Sequence, residues 1–360
     1  MAVQLPDFPW DSLVPYAEKA REHPDGLVDL SVGSPVDETP AVIRDALAAA
    51  TDAHAYPQTA GTPQLREAIV QWYARRRGVD DLSVANVIPT IGSKELVALL
   101  PLLLGIGKGD VVVHPSVAYP TYAIGAAIVG ATAVAEDDPA LWPENTKLAW
   151  VNTPGNPDGR VLSVDELRAA VARARSLGAI IASDECYAEL AWEGESPSIL
   201  DPRVIEGERN HVLSVYSLSK QSNLAGYRAG FVAGCSDIVG ELLEVRKHMG
   251  LIPPAPVQAA MVAALGDDEH VAQQRQRYAD RRAALAPALE RSGFTIDRSE
   301  AGLYLWITRG DAAWATVAWF AERGILVTPG TFYGDETHVR LTITATDDAI
   351  AQAVLRLSSN

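Results

Sequence analysis

Short apolar runs alternate along this chain with segments of helical periodicity, and that alternation restricts the fold more than any other feature. Strands joined through helices pair in parallel, because only a crossover of a dozen or more residues returns the chain in the same direction. The runs Val111–Val113, Leu148–Asn152, Ala179–Ser183, Val212–Tyr216 and Ala229–Ala233 are expected as strands. Three of them carry few polar residues, as strands covered on both faces do. Between the second and third, Ser163 and Glu166 have the spacing of a capping box. Leu167, Val171 and Ala174 then share one helical face, and Gly178 supplies the stop. Another helix is expected from Thr39-Pro40, with Thr39 as N-cap and Pro40 in the first turn.

After Pro253 the texture changes. A charged helical stretch covers His270–Ser292, followed by a strand Leu303–Thr308, a further helix and the segment His338–Thr344. The 360 residues suffice for two domains. The division expected is a large α/β domain at 36–252 with a mostly parallel sheet, and a smaller α+β domain built from 1–35 and 253–360.

Composition narrows the function. The formal net charge of −16 argues against a nucleic-acid binder or a protein docking on anionic lipid. It does not argue against anionic small molecules, which a few local cations can hold. Cys186 and Cys235 are too few for a disulfide framework and have no zinc-site spacing, so two free thiols and no metal are expected. The N-terminus shows no basic-then-apolar signal pattern, and the apolar run Leu96–Ile106 is broken by Pro101 and Gly105. A cytoplasmic chain is expected.

The residues with chemistry follow the strands. Ser217-Leu218-Ser219-Lys220 comes directly after one, and Arg228 stands eight residues beyond Lys220 between two glycine-containing steps. Hydroxyls with a guanidinium suit phosphate, which Arg grips with two parallel hydrogen bonds. A Lys beside a bound phosphate can hold a phosphorylated aldehyde as an imine. Asp184 ends another strand, where ligands of open α/β sheets bind, and could pair with a pyridine nitrogen; taken alone it equally caps a turn. Tyr187 could donate to a phenolate oxygen of the same ring, as could Asn156 in Asn152-Thr153-Pro154-Gly155-Asn156-Pro157, which otherwise reads as an ordinary loop. Ser93 and Lys94 open an apolar helix whose free N–H groups suit phosphate, although Ser93 also reads as a plain cap. Tyr119 could stack on a planar ring or sit in the core.

In their order and spacing, Asn156, Asp184, Tyr187, Lys220 and Arg228 resemble the class I/II aminotransferases of the pyridoxal-phosphate-dependent fold type I, and the resemblance covers nearly the whole chain. It implies pyridoxal 5′-phosphate held on Lys220, which then moves a proton between substrate and cofactor. Asp184 would keep the ring cationic and Tyr187 would address its phenolic oxygen. Tyr119 would stack on the ring, and Ser93, Lys94, Ser217, Ser219 and Arg228 would hold the phosphate. Tyr56, in Tyr56-Pro57, resembles the residue that reaches the cofactor phosphate of a neighbouring subunit, which implies a homodimer with shared sites. Arg340 resembles the clamp for the substrate α-carboxylate, and Gly33 with Asn156 lines the substrate side. Asp158 departs from the Thr usual there, and the chain is short for the family; both bear on specificity.

The stretches Leu5–Asp11, Asp29–Gly33, Ala60–Pro63 and Ile91–Leu96 resemble the succinyldiaminopimelate aminotransferases of actinobacteria. That resemblance implies amino transfer from glutamate to N-succinyl-2-amino-6-oxopimelate in lysine and diaminopimelate synthesis. The second carboxylate then needs a cation, for which Lys94, Arg21, Arg246 and Lys247 are the candidates. A broad aspartate or aromatic aminotransferase and a β-C–S lyase would share the same core. A cofactor-binding regulator would need a DNA-binding domain ahead of the large domain, where only about 35 residues stand.

Overall fold

The structure is a computed structural model that describes residues 5–358; residues 1–4, part of the stretch read above for a signal sequence and of the segment 1–35, lie outside it, as do residues 359–360 of the segment 253–360. A seven-stranded sheet runs in the order Val87–Ile91, Ala229–Gly234, Val212–Ser217, Ile180–Asp184, Thr146–Asn152, Val111–His114, Thr132–Ala135. All neighbours are parallel except Ala229–Gly234, which opposes both of its partners. The five strands expected from the sequence are present. The two not anticipated are the edges. Val87–Ile91 carries Pro89, which an edge strand tolerates because one side of it needs no donor. Thr132–Ala135 is mostly exposed, and its small residues Ala133 and Ala135 do not mark it off from the apolar stretch before it.

Side chains alternate across this sheet. Val111, Val113, Ala149, Ile181 and Val212 join one apolar cluster, while Val112, Leu148, Trp150, Ala182 and Leu213 join another on the opposite face. The helix Val164–Leu177 forms as expected, with the Ser163–Glu166 capping box and Gly178 in the left-handed conformation behind it. The second anticipated helix begins one residue later than read. Pro40 takes the N-cap place before Ala41–Ala49, and the Thr39 hydroxyl donates instead to the Asn223 carbonyl.

A third cluster gathers the rest. A four-stranded antiparallel sheet, Thr328–Pro329, Val339–Thr342, Tyr304–Thr308 and Thr295–Ile296, packs with the helices Glu269–Arg291, Ala313–Glu322 and Asp347–Ser358. Leu13, Ala17, Val28 and Leu30 join it, and Val28–Asp29 pairs in parallel with Ile325–Leu326. The helix Ala255–Gly266 follows directly after residue 253. Its Ala260, Met261, Ala264 and Leu265 are buried in the first cluster, because that face is apolar and lies against the helices Ala41–Ala49 and Pro63–Arg77. No described helix is long and apolar enough to cross a membrane.

Candidate active site

The sheet register explains why distant residues meet. Asn152 pairs with Asp184, Asp184 with Val215, and Ser217 with Gly230. Three parallel strands therefore release Asn152, Asp184 and Ser217 along one edge. The antiparallel strand Ala229–Gly234 starts at that edge, so Arg228 stands just before it. Ile91 pairs with Ala229, which delivers Gly92 and Ser93 to the same place. The result is a cavity of about 510 Å³ lined by Gly33, Ser93, Lys94, Tyr119, Asn156, Asp184, Tyr187, Ser217, Ser219, Lys220, Arg228 and Arg340. Every site residue read from the sequence lines it except Tyr56, whose side chain is 99% exposed in the single chain. A larger cavity of about 670 Å³, bordered by Trp142, Trp306 and His338, contains none of these residues.

One end of the cavity is built for an anion. Ser217 caps the turn Leu218–Gln221, accepting from the Ser219 N–H and donating to the Ser219 hydroxyl at 2.8 Å. Arg228 takes a left-handed backbone, φ 55°, and its guanidinium lies against Gly92 so closely that a Cβ there would stand 2.9 Å from Cζ. Gly92 has φ 73°, a second reason for glycine at this position. It directly precedes the helix Ser93–Leu103, whose first N–H groups have no partner within the helix. Two hydroxyls, a guanidinium and a helix N-terminus thus converge.

The other end holds the ionisable groups. Lys220 donates from Nζ to the Gly33 carbonyl. Its pKa is lowered, first by burial and then by the Arg340 and Arg228 cations, against the pull of Tyr304. A lysine so placed releases its proton more readily and becomes a better nucleophile. Asp184 is buried, and burial raises its pKa. Its partners, the Tyr122 hydroxyl at 3.0 Å and the Cys186 N–H at 3.2 Å, are neutral. A buried carboxylate with neutral partners is short of a cation, and a protonated ring nitrogen would supply one.

Arg340 is also buried. Its Nη1 donates to Asn156 Oδ1 at 2.9 Å and its Nη2 to the Ser31 carbonyl at 2.6 Å, while Nε finds no partner among the described residues. Asn156 must present its oxygen to Arg340, which leaves the amide nitrogen as its donor end. Of the other candidate cations, Arg246 is fully buried and spent on Glu95, and Lys247 pairs with Glu244. Arg21 is exposed in the first helix and does not line the cavity. Lys94 does line it, with Nζ 5.7 Å from the centre of the Tyr119 ring.

Sequence reasoning passed over two residues. Tyr122 follows Tyr119 by three positions, a spacing that could have placed both on one helical face. Tyr304 read only as part of a core strand, and nothing near it in sequence marks it.

The family model for class I and II aminotransferases matches residues 25–357. The chain belongs to that family. A probable aminotransferase of Mycobacterium tuberculosis is 55% identical over 99% of this chain and 86% of its own length. The 4-dedimethylamino-4-oxo-anhydrotetracycline transaminase of Streptomyces rimosus is 54% identical, with 99% of both chains covered. Among solved structures, a probable N-succinyldiaminopimelate aminotransferase of Thermus thermophilus superimposes with a TM-score of 0.88, at 29% identity, over 97% of this chain and 99% of the other. The protein is therefore an aminotransferase of the fold type I architecture, acting on small amino and oxo acids with pyridoxal 5′-phosphate. The cavity fits that cofactor: the anion-binding end suits its phosphate and the cation-poor Asp184 its ring nitrogen.

Proposed function

We propose that the enzyme transfers an amino group from glutamate to N-succinyl-2-amino-6-oxopimelate, the step of diaminopimelate and lysine synthesis catalysed by a succinyldiaminopimelate transaminase. The observation that carries the site assignment is Lys220, with its lowered pKa, standing between Asp184, the Arg228 cluster and Arg340. When bound, the cofactor supplies an aldehyde for amino groups and a ring that accepts an electron pair. Lys220, with its lowered pKa, would be the amine that holds the cofactor's aldehyde, and its Nζ would carry a proton to and from the substrate Cα. Asp184 would hold the ring nitrogen in its protonated form. Tyr187 and Asn156 would donate to the phenolic oxygen, Tyr119 would cover the ring, and Ser93, Ser217, Ser219, Arg228 and the N–H groups near Lys94 would hold the phosphate. Arg340 would meet the α-carboxylate beside Gly33 with the guanidinium hydrogens not given to Asn156 and Ser31.

The acceptor is supported by the resemblance of the N-terminal stretches, by the Thermus neighbour, and by Lys94 at the cavity, which suits a distal carboxylate. A second acceptor class is favoured by the Streptomyces relative and by Phe8 and Trp10, which also line the cavity and stack at 5.4 Å. Such an aromatic wall suits a planar polycyclic ketone. We further propose a homodimer in which Tyr56 completes the partner's phosphate site, and a cofactor-binding body and a smaller domain corresponding to the sheet clusters and the third cluster.

The test begins with glutamate added to the holoenzyme. Loss of the visible band marks the first half-reaction, and its return on adding each acceptor in turn identifies the substrate. Lys220→Ala should lose the imine absorbance and at least about 10³-fold in turnover. Transamination retained in that variant would remove the proposal, and a band restored only by the polycyclic ketone would replace the acceptor.

A further inference from the structure

Tyr304 lies on the strand Tyr304–Thr308 directly opposite Thr342, two residues from Arg340 on the paired strand. The two side chains are thus diagonal neighbours on one face of the sheet. The Arg340 guanidinium stacks 4.1 Å above the Tyr304 ring, with the Tyr333 ring at 5.0 Å. The Tyr304 hydroxyl lies 3.1 Å from that of Tyr187. All four side chains are buried. Tyr304 also lies close against Gly33, where a Cβ would come within 2.8 Å of Cζ. Gly33 in turn accepts from Lys220.

We propose that Tyr304 is a positioning residue with two tasks: its ring fixes the plane of the Arg340 guanidinium, and its hydroxyl orients that of Tyr187. The inference rests on the reading of Arg340 as the carboxylate clamp. Two hydrogen bonds alone, to Asn156 and Ser31, leave the guanidinium free to tilt about the line joining them. A ring stacked on its face removes that freedom, so the guanidinium presents its remaining N–H groups to a carboxylate in one orientation. The hydroxyl contact assigns roles within the tyrosine pair. Burial and the neighbouring Tyr304 oxygen raise the pKa of Tyr187, so Tyr187 keeps its proton. Burial would raise Tyr304 too, but Arg340 and Lys220 outweigh it and lower its pKa. The more acidic Tyr304 hydroxyl is then the natural donor; the Tyr187 oxygen accepts from it and keeps its own single proton for the phenolic oxygen, so Tyr304 sets where the Tyr187 hydroxyl points.

The experiment uses the holoenzyme and α-methylglutamate, which carries the α-carboxylate but no Cα proton, so spectral titration reads binding apart from proton transfer. Tyr304→Phe keeps the ring and should bind it within about twofold of wild type, while Tyr304→Leu should bind about tenfold more weakly with full cofactor occupancy. Unchanged affinity in the leucine variant overturns the first task. So does lost affinity in the phenylalanine variant, which tests the point even where leucine prevents folding. For the second task, Tyr304→Phe and Tyr187→Phe should shift the visible absorbance of the holoenzyme in the same direction, with the double variant adding nothing. An unshifted spectrum in Tyr304→Phe overturns it. Arg340→Ala is the control: normal binding there would mean that the clamp itself is misassigned, whereas lost binding there with an intact Tyr304→Leu isolates the failure to this inference.

Discussion

Glu95→Ala should destabilise the protein more than any ordinary surface change, and the structure gives the size. Arg246 is fully buried in the helix Ser236–Met249 and makes two bonds to Glu95, at 2.8 and 3.1 Å, with a third to the Leu251 carbonyl at 3.2 Å. Glu95 has 15% side-chain exposure and also accepts from the Ile91 N–H at 3.1 Å. Removing the carboxylate leaves a buried guanidinium without its counter-charge, at a cost of about 3–5 kcal/mol, and orphans a backbone donor worth about 1 kcal/mol. With a urea slope of about 3 kcal/mol per molar, the first unfolding midpoint should fall by about 1–2 M. Because Ile91 and Gly92 lead into Ser93, cofactor affinity should weaken as well. Replacing both partners, Glu95→Ala with Arg246→Met, removes the unpaired charge and should recover most of the loss, since an apolar pair can match a buried ion pair. The assay is urea denaturation of the apoenzyme followed by circular dichroism. A single variant within about 1 kcal/mol of wild type, or a double variant no better than the single, would refute the reasoning.

Asp37 offers a pH-dependent test, because it accepts from Arg281 at 2.7 and 2.8 Å and from Gln274 at 2.7 Å. Burial would raise its pKa, but these bonds lower it below the ordinary 3.8, so its contribution is complete above that value and is lost as pH falls through the folded one. Asp37→Asn should therefore be less stable than wild type at pH 7, with the gap closing below pH 3.8; a gap that is constant with pH in thermal melts refutes the assignment. The exposed Tyr56 tests the shared site: sedimentation at micromolar concentration should give a dimer, and Tyr56→Phe should weaken cofactor binding about tenfold. A monomer with unaltered cofactor affinity contradicts it.

Much of the fold was legible because burial on both faces leaves its mark on sequence. The five inner strands stand out as apolar runs, whereas Thr132–Ala135 is mostly exposed and built of small residues, and Pro89 disguises the other edge. The capping box at Ser163 is a local device and was readable locally; Thr39 was not, since its hydroxyl answers to Asn223, 184 residues away. The residues of the cavity were legible as types at set spacings, because strand ends and loops carry their chemistry in short peptides such as Ser217–Lys220.

The sequence by itself determined which groups are available and in what order. Only the tertiary structure decided which of them face one another. Arg246 and Lys94 read alike as lone cations, but one is consumed by Glu95 in the core and the other, among the described residues, has no such pair at the cavity. Tyr304 joined the site because the sheet register sets it diagonal to Arg340, and Ala255–Gly266 joined the larger body because its apolar face found that core. Pairing, register and packing are relations between segments far apart in the chain, and no local pattern encodes them.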